Sequence, residues 1–297
     1  MKITSFEVNG RSTYGVVEGE VVIDLIGLAA DLDKEFPSNV QKLIEDGEGA
    51  LHKVEELLER CREGNDFAEY QYSVDEVNWL APIPHVKRNI MCVGKNYREH
   101  AIEMGSEQDI PKNIMIFTKA TNTVTGHKQS IPLHENVTEE LDYEGELAVV
   151  IGKRGRAISS DEAMDHIFGY TILNDLTARD LQKKHGQFFI GKSLDSSCPI
   201  GPYIVTKEEI DDPHQLEIRT SVNGEVRQSS STELMIFSIP EIISILSKGM
   251  TLEPGDIIAT GTPAGVGKGF KPPRFLKAGD TVDIEVRGIG ILTNRLQ

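Results

Sequence analysis

At 297 residues, with 39% hydrophobic and 26% charged side chains, the chain can bury a sizeable core as one large domain or a small one joined to a larger. A net charge of −16 argues against a nucleic-acid partner, which needs a clustered excess of Lys and Arg. No apolar run approaches the roughly 18 residues of a membrane helix, so no membrane partner is expected.

The opening MKITSFEVNGRSTYG lacks the apolar core of a signal peptide, and Cys61, Cys92 and Cys198 are too few and too scattered for a disulfide framework. A reducing, cytoplasmic setting is the expectation. An acidic protein that takes an anionic substrate needs a locally positive site, from a metal or a few placed cations.

In chain order, ITSFEV, YGVVEG and EVVIDL alternate as short strands. LHKVEELLERCREG then carries Leu51, Val54, Leu57 and Leu58 at helical spacing. Pro82 and Pro84 mark an extended linker, which divides the chain into a small N-terminal domain of unassigned role, residues 1–80, and a larger one, residues 81–297. From Asn89 onward short strands dominate: NIMCVG, NIMIFTK, GELAVVIG, FGYTILND, PYIVT, LEIRTSVNG, DIIATG and TVDIEVRG. Asn223-Gly224 between two of these stretches predicts a hairpin. Helices are expected at 160–167 and over IPEIISILSKG, where Pro240 lies near the start and Gly249 acts as a stop. Many strands and few helices predict a β-rich α+β fold.

The stretch LDYEGELAVVIGK places Glu144 and Glu146 two residues apart, on one face of a strand. Charges at the roughly 6–7 Å of that spacing repel by roughly 2.5 kcal/mol at an effective dielectric of about 20. An edge strand with its acids in water is one reading. The run LAVVIG, apolar on both faces, favours a covered strand that needs a cation or a shared proton. Asp175, where FGYTILND gives way to polar sequence, supplies a third carboxylate, or else a helix N-cap. Three carboxylates with waters suit Mg2+ or Mn2+, and the absence of thiolate and imidazole from these strands disfavours zinc.

In CVGKNYREHAIEMG, His100 and Glu103 would share a helix face, so a carboxylate could orient the imidazole as a general base. A solvated helix with an incidental pair is the alternative. The glycine-punctuated polar segment that follows would let this helix act as a mobile cover. Arg179 and Gln182 are also three apart. Lys192 is expected on an apolar strand in FFIGKSLDSSCP, either facing solvent or turned inward to stabilise an oxyanion. IIATGTPAGVGKGF is not a phosphate loop: Thr262 stands where that motif needs glycine, Gly269 where it needs a hydroxyl, and KPPRF forbids the following helix. A tight turn offering the Thr262 hydroxyl and backbone N–H groups to a carboxylate remains open.

Taken together, CVGKNYREHAIEMG, DYEGELAVVIGK, YTILNDLTARDLQ, FFIGKSLDSSCPIGP, VNGEVRQSSSTELMIFSIPEII and LEPGDIIATGTPAGVG resemble the fumarylacetoacetate hydrolase family, in family order over residues 82–296. The likeness is greatest to its short acylpyruvate hydrolase and oxaloacetate decarboxylase branch. The resemblance implies a mixed β-roll catalytic domain and a homodimer. It implies Glu144, Glu146 and Asp175 as ligands of one Mg2+ or Mn2+, and His100 and Glu103 as a water-activating pair on a lid helix. Lys192 would stabilise the oxyanion, while Arg179, Gln182 and Thr262 would hold a small keto acid. The implied reaction is cleavage of a C–C bond in a 3-substituted pyruvate through a cation-held pyruvate enolate. Isomerisation or hydration of an unsaturated keto acid, and keto-acid binding without catalysis, are the alternatives.

Overall fold

The computed structural model describes residues 1–63 and 65–297. A twelve-stranded sheet organises the chain. At its centre Gly145–Ile151 runs antiparallel to Ile167–Asn174 on one side and to Ile257–Ala259 on the other. Ile90–Gly94 pairs in parallel with Ile257–Ala259, and Met115–Lys119 closes that edge. On the other side Cys198–Thr206 joins Ile167–Asn174 to Lys2–Val8.

Every residue of Gly145–Ile151 is buried. Leu147, Val149 and Ile151 point into one core with the second sheet, while Ala148 and Val150 point into another beneath the N-terminal helices. Burial on both faces is why Leu147–Ile151 is continuously apolar rather than alternating. The expected covered strand is therefore present, and the wet edge strand is not.

Five strands form the second sheet, in the order Glu225–Ser231, Glu217–Val222, Thr281–Val286, Gly290–Leu296 and Ser130–Ile131. The hairpin predicted at Asn223-Gly224 joins the first two, with φ of 53° and 79° at its two turn residues, the left-handed pair that this turn chemistry favours. This sheet packs so closely on the first that a Cβ at Gly145 would lie 2.2 Å from Thr220 Oγ1.

Residues 1–80 contribute strands Lys2–Val8, Arg11–Glu18, Val21–Asp24, Gln71–Ser73 and Asn78–Trp79 to the large sheet, and helix Glu48–Glu63 to its cover. Phe6, Val8, Val17, Val22, Val77 and Trp79 pack among themselves. The expected division near residue 80 is nonetheless crossed by the Lys2–Val8 pairing, and Leu43, Val54 and Leu57 share a core with Ala148, Val150 and Ile257. Among the described residues no helix is long and apolar enough to cross a membrane.

Two local expectations are corrected. The helix expected at 160–167 is a single 3-10 turn, Ala163–His166, because Ile167 is claimed by the buried strand Ile167–Asn174. Lys192 lies not on a strand but at the end of a one-turn helix, Phe189–Lys192. That turn packs its backbone on helix Arg179–His185: a Cβ at Gly191 would lie 2.7 Å from Ala178 O and 2.8 Å from Gln182 N. The expected helix over IPEIISILSKG is present as Ile239–Ser247, begun by a Ser238–Glu241 capping box.

Gly145→Ala should lower stability by about 1–3 kcal/mol through overpacking. Thr220→Ala in the same chain should restore part of the loss in a double-mutant cycle followed by urea unfolding. Strictly additive losses would show that this contact does not set the spacing of the sheets.

Candidate active site

The site is built by strand register. Gly145 pairs with Asn174 and Glu146 with Leu173, and one step further the Asp175 N–H donates to Glu144 O at 2.9 Å. Glu144 and Asp175 therefore sit opposite each other, with Glu146 two residues along on the same face. One carboxylate oxygen from each of the three lies within 4.8 Å of the others, and all three side chains are buried.

Cations compensate this charge. Lys192 Nζ donates to Glu144 Oε2 at 2.6 Å and to Asp175 Oδ2 at 2.7 Å, and lies 4.8 Å from the centre of the Phe117 ring. Arg179 Nε donates to Asp142 Oδ2 at 2.8 Å, and its Nη2 lies 2.7 Å from Glu144 Oε1. Burial alone would raise the Glu144 pKa, but Lys192, then Arg179 and His100, outweigh it and hold the carboxyl well below its ordinary range. Glu146 is the opposite case. Burial, and then Asp175 and Glu144, push its pKa well up, against partial relief from Lys192 and from the Gly261 N–H, which donates to Oε2 at 2.7 Å.

The helix Arg98–Glu103 brings His100 to the same cavity as Glu144 and Glu146. His100 is buried, with Nδ1 3.4 Å from Glu103 Oε2. Glu103 in turn accepts from Gly265 N–H, at 3.0 Å to Oε1 and 3.2 Å to Oε2. The expected pair on one helix face is thus present, and anchored from behind. The ATGTPAGVG turn does offer backbone N–H groups to carboxylates, and they are the chain's own Glu146 and Glu103. Gly265, at φ 104°, also has Arg227 O only 2.0 Å from where a Cβ would be, so both conformation and space require glycine there.

These groups border one cavity of about 220 Å3, lined by His100, Glu144, Glu146, Arg179, Gln182, Lys192 and Thr262, together with Lys95, Phe117, Phe188, Lys183 and Lys268. Asp175 lies just behind, fully buried. Thr262 reaches the cavity wall with its hydroxyl committed, donating to Gly145 O at 2.9 Å and accepting from Gln228 Nε2 at 2.7 Å. Arg179 grips Asp142 and Glu144, so in this geometry it orients a carboxylate of the triad.

Sequence reasoning missed Lys119 and Asp142. Lys119 is wholly buried, donates from Nζ to Leu176 O at 2.9 Å and lies 2.8 Å from Asp175 Oδ1. Its only sequence signal was a lysine ending the apolar strand NIMIFTK. Asp142 collects Arg179 and the N–H groups of Gly267 and Lys268; no spacing rule links those residues.

Three buried carboxylates of fixed mutual geometry form an all-oxygen donor set that suits a hard divalent cation, and the raised Glu146 pKa marks charge that such an ion would relieve. Lys119→Met would leave Asp175 Oδ1 buried without its cation. It should destabilise the protein by about 3–5 kcal/mol, with much of the loss recovered in Lys119→Met/Asp175→Asn, as measured by denaturant unfolding. No recovery would show that Lys119 acts through packing and its hydrogen bond to Leu176 O rather than through Asp175.

Comparison with known proteins agrees with this architecture. Residues 89–297 match the family model described as Fumarylacetoacetate (FAA) hydrolase C-terminal. Oxaloacetate tautomerase YisK of Bacillus subtilis (strain 168) is 53% identical over 300 residues, covering 100% of both chains. The solved fumarylacetoacetate hydrolase from psychrophilic Exiguobacterium antarcticum is 42% identical, with a TM-score of 0.83 over 100% of this chain and 99% of that one. A maleylpyruvate hydrolase from Sphingobium sp. SYK-6, solved in complex with manganese(II) ion and pyruvate, is 29% identical, with a TM-score of 0.79 over 100% of this chain and 98% of that one. With a match over most of its length and a relative aligned from end to end, this chain belongs to the fumarylacetoacetate hydrolase family.

Proposed function

We propose that the chain is a divalent-metal-dependent enzyme that develops negative charge on the 2-keto oxygen of a small 3-substituted pyruvate, with oxaloacetate as the first substrate to test. The observation that carries this reading is the charge contrast at the cavity. Three clustered carboxylates meet at a cavity whose lining also includes Lys95, Arg179, Lys183, Lys192 and Lys268, in a chain of net charge −16. Bare carboxylates would repel an organic anion, whereas the basic lining draws one in. The name of the Bacillus subtilis relative and the pyruvate bound to the Sphingobium relative support the same substrate class.

Glu144, Glu146 and Asp175 would hold Mg2+ or Mn2+, which supplies Lewis-acid polarisation of a keto oxygen when bound. Lys192, which lines the cavity and bridges Glu144 and Asp175, would set its ammonium beside that oxygen, where charge develops. His100 has Nδ1 turned to Glu103, so Nε2 is the ring nitrogen that exchanges protons with substrate. In tautomerisation His100 takes a proton from C3, the C3–H electron pair becomes the C2–C3 double bond, the C2=O π pair moves to the keto oxygen, and that oxygen takes up a proton from solvent. In decarboxylation the C3–C4 bond breaks instead, its electron pair forms the same double bond, CO2 leaves and C3 is protonated afterwards. The first route needs His100 as base, and the second does not. Acylpyruvate hydrolysis is the second reading, favoured by the His100–Glu103 pair, which could equally take a proton from water attacking the distal carbonyl.

Activity is expected with Mn2+ or Mg2+ and should vanish with chelator and in Glu146→Ala; undiminished turnover by the metal-free protein refutes the proposal. In His100→Ala, exchange of the C3 protons of oxaloacetate and acylpyruvate hydrolysis should each fall roughly a hundred- to ten-thousandfold. Pyruvate release from oxaloacetate should fall far less. Equal losses in all three assays would show that His100 is not the base.

A further inference from the structure

Two of the basic residues around the cavity have no place in the chemistry above. Lys183 lies on the helix Arg179–His185, four residues beyond Arg179 and next to Gln182; positions i, i+3 and i+4 share a helix face, and all three line the cavity. Lys268 reaches the same cavity from the 3-10 turn Gly267–Gly269, which Asp142 fastens through the Gly267 and Lys268 N–H groups at 2.7 Å and 3.1 Å.

The other cations of the lining are occupied. Lys192 and Arg179 hold the triad and Asp142, and Lys95 Nζ lies 3.2 Å from Asp109 Oδ1. Among the described residues neither Lys183 nor Lys268 forms an ion pair. Lys183 stands with Lys184 and His185 in the last turn of its helix, where basic residues favour the helix dipole in any protein. Lys184 and His185 suffice for that, and of the three only Lys183 borders the cavity.

We propose that Lys183 and Lys268 form an anion-binding rim that takes the distal carboxylate of the substrate, so that the site prefers four-carbon dicarboxylates over acids with an uncharged tail. The inference rests on the keto-acid reading above and adds what that reading leaves open, namely which end of the substrate carries the second charge. The carboxyl head lies toward the triad and Lys192 at the floor. The tail then projects toward Lys183, which is exposed, and Lys268, which is half-buried. Contacts of this kind are modest individually and screened by salt.

Malate and lactate share a 2-hydroxy acid head and differ by one distal carboxylate, so their binding to the Mg2+-loaded protein, measured by calorimetry, isolates the rim. Wild type should bind malate more tightly than lactate, by roughly tenfold at low salt, with the ratio shrinking as salt rises. Lys183→Met and Lys268→Met should each reduce the ratio roughly three- to fivefold, and the double variant should bring it close to one, while Lys183→Arg keeps it. Lactate affinity in each variant is the internal control. Equal affinity of wild type for the two acids, or a wild-type ratio in the double variant, overturns the assignment. Binding of neither acid also overturns it. Oxaloacetate turnover then tells the two readings apart: if it persists, the keto-acid reading stands without the rim, and if it is absent both fall.

Discussion

Three carboxylates that meet inside a protein repel one another, and the rest of this site is arranged around that fact. At the 4.8 Å that encloses their facing oxygens, each pair of full charges costs about 3 to 4 kcal/mol at an effective dielectric of about 20. The antiparallel register between Gly145–Ile151 and Ile167–Asn174 imposes the meeting, since it sets Glu144 opposite Asp175. A shift of one residue would turn the acids to the other face, into the apolar contact with the second sheet. The close approach at Gly145 helps to hold the register that the chemistry needs.

The compensation is unequal, and the proposed function rests on that inequality. Glu144 has Arg179 on one oxygen and Lys192 on the other, and Asp175 lies between Lys192 and Lys119. Glu146 has a single backbone N–H, partial relief from Lys192 and the repulsion of its neighbours. Buried ion pairs bring little net stability. Here they position two carboxylates and leave the third short of positive charge, which is the condition a divalent cation meets. The helix Arg98–Glu103 is tied into the same loop, because Gly261 supports Glu146 and Gly265 supports Glu103.

Much of this could be read along the chain because its signals are local. The i, i+2 spacing of Glu144 and Glu146, the i, i+3 spacing of His100 and Glu103, and the Asn223-Gly224 turn depend only on strand, helix and turn geometry, and all three are present. Where local propensity met a tertiary demand it lost. The helix expected at 160–167 gives way because Ile167 pairs in a buried strand, and Lys192 ends a helical turn because Gly191 must press against the backbone of residues 178 and 182.

The sequence by itself determined the β-rich class, the family to which the chain belongs, and the residue types of the three clustered carboxylates and of the His100–Glu103 pair. Each of these is a matter of period or of short contiguous motifs. Only the tertiary structure decided that Lys119 and Asp142 belong to the site, and that the Thr262 hydroxyl and the Arg179 fork are committed to the protein's own groups. It alone brought Lys183 and Lys268 to the lining of one cavity. These relations join residues tens to more than a hundred positions apart, through strand pairing and loop closure. Such contacts leave no periodic trace in the sequence, because Coulomb and hydrogen-bond interactions depend on distance in space and not on separation along the chain.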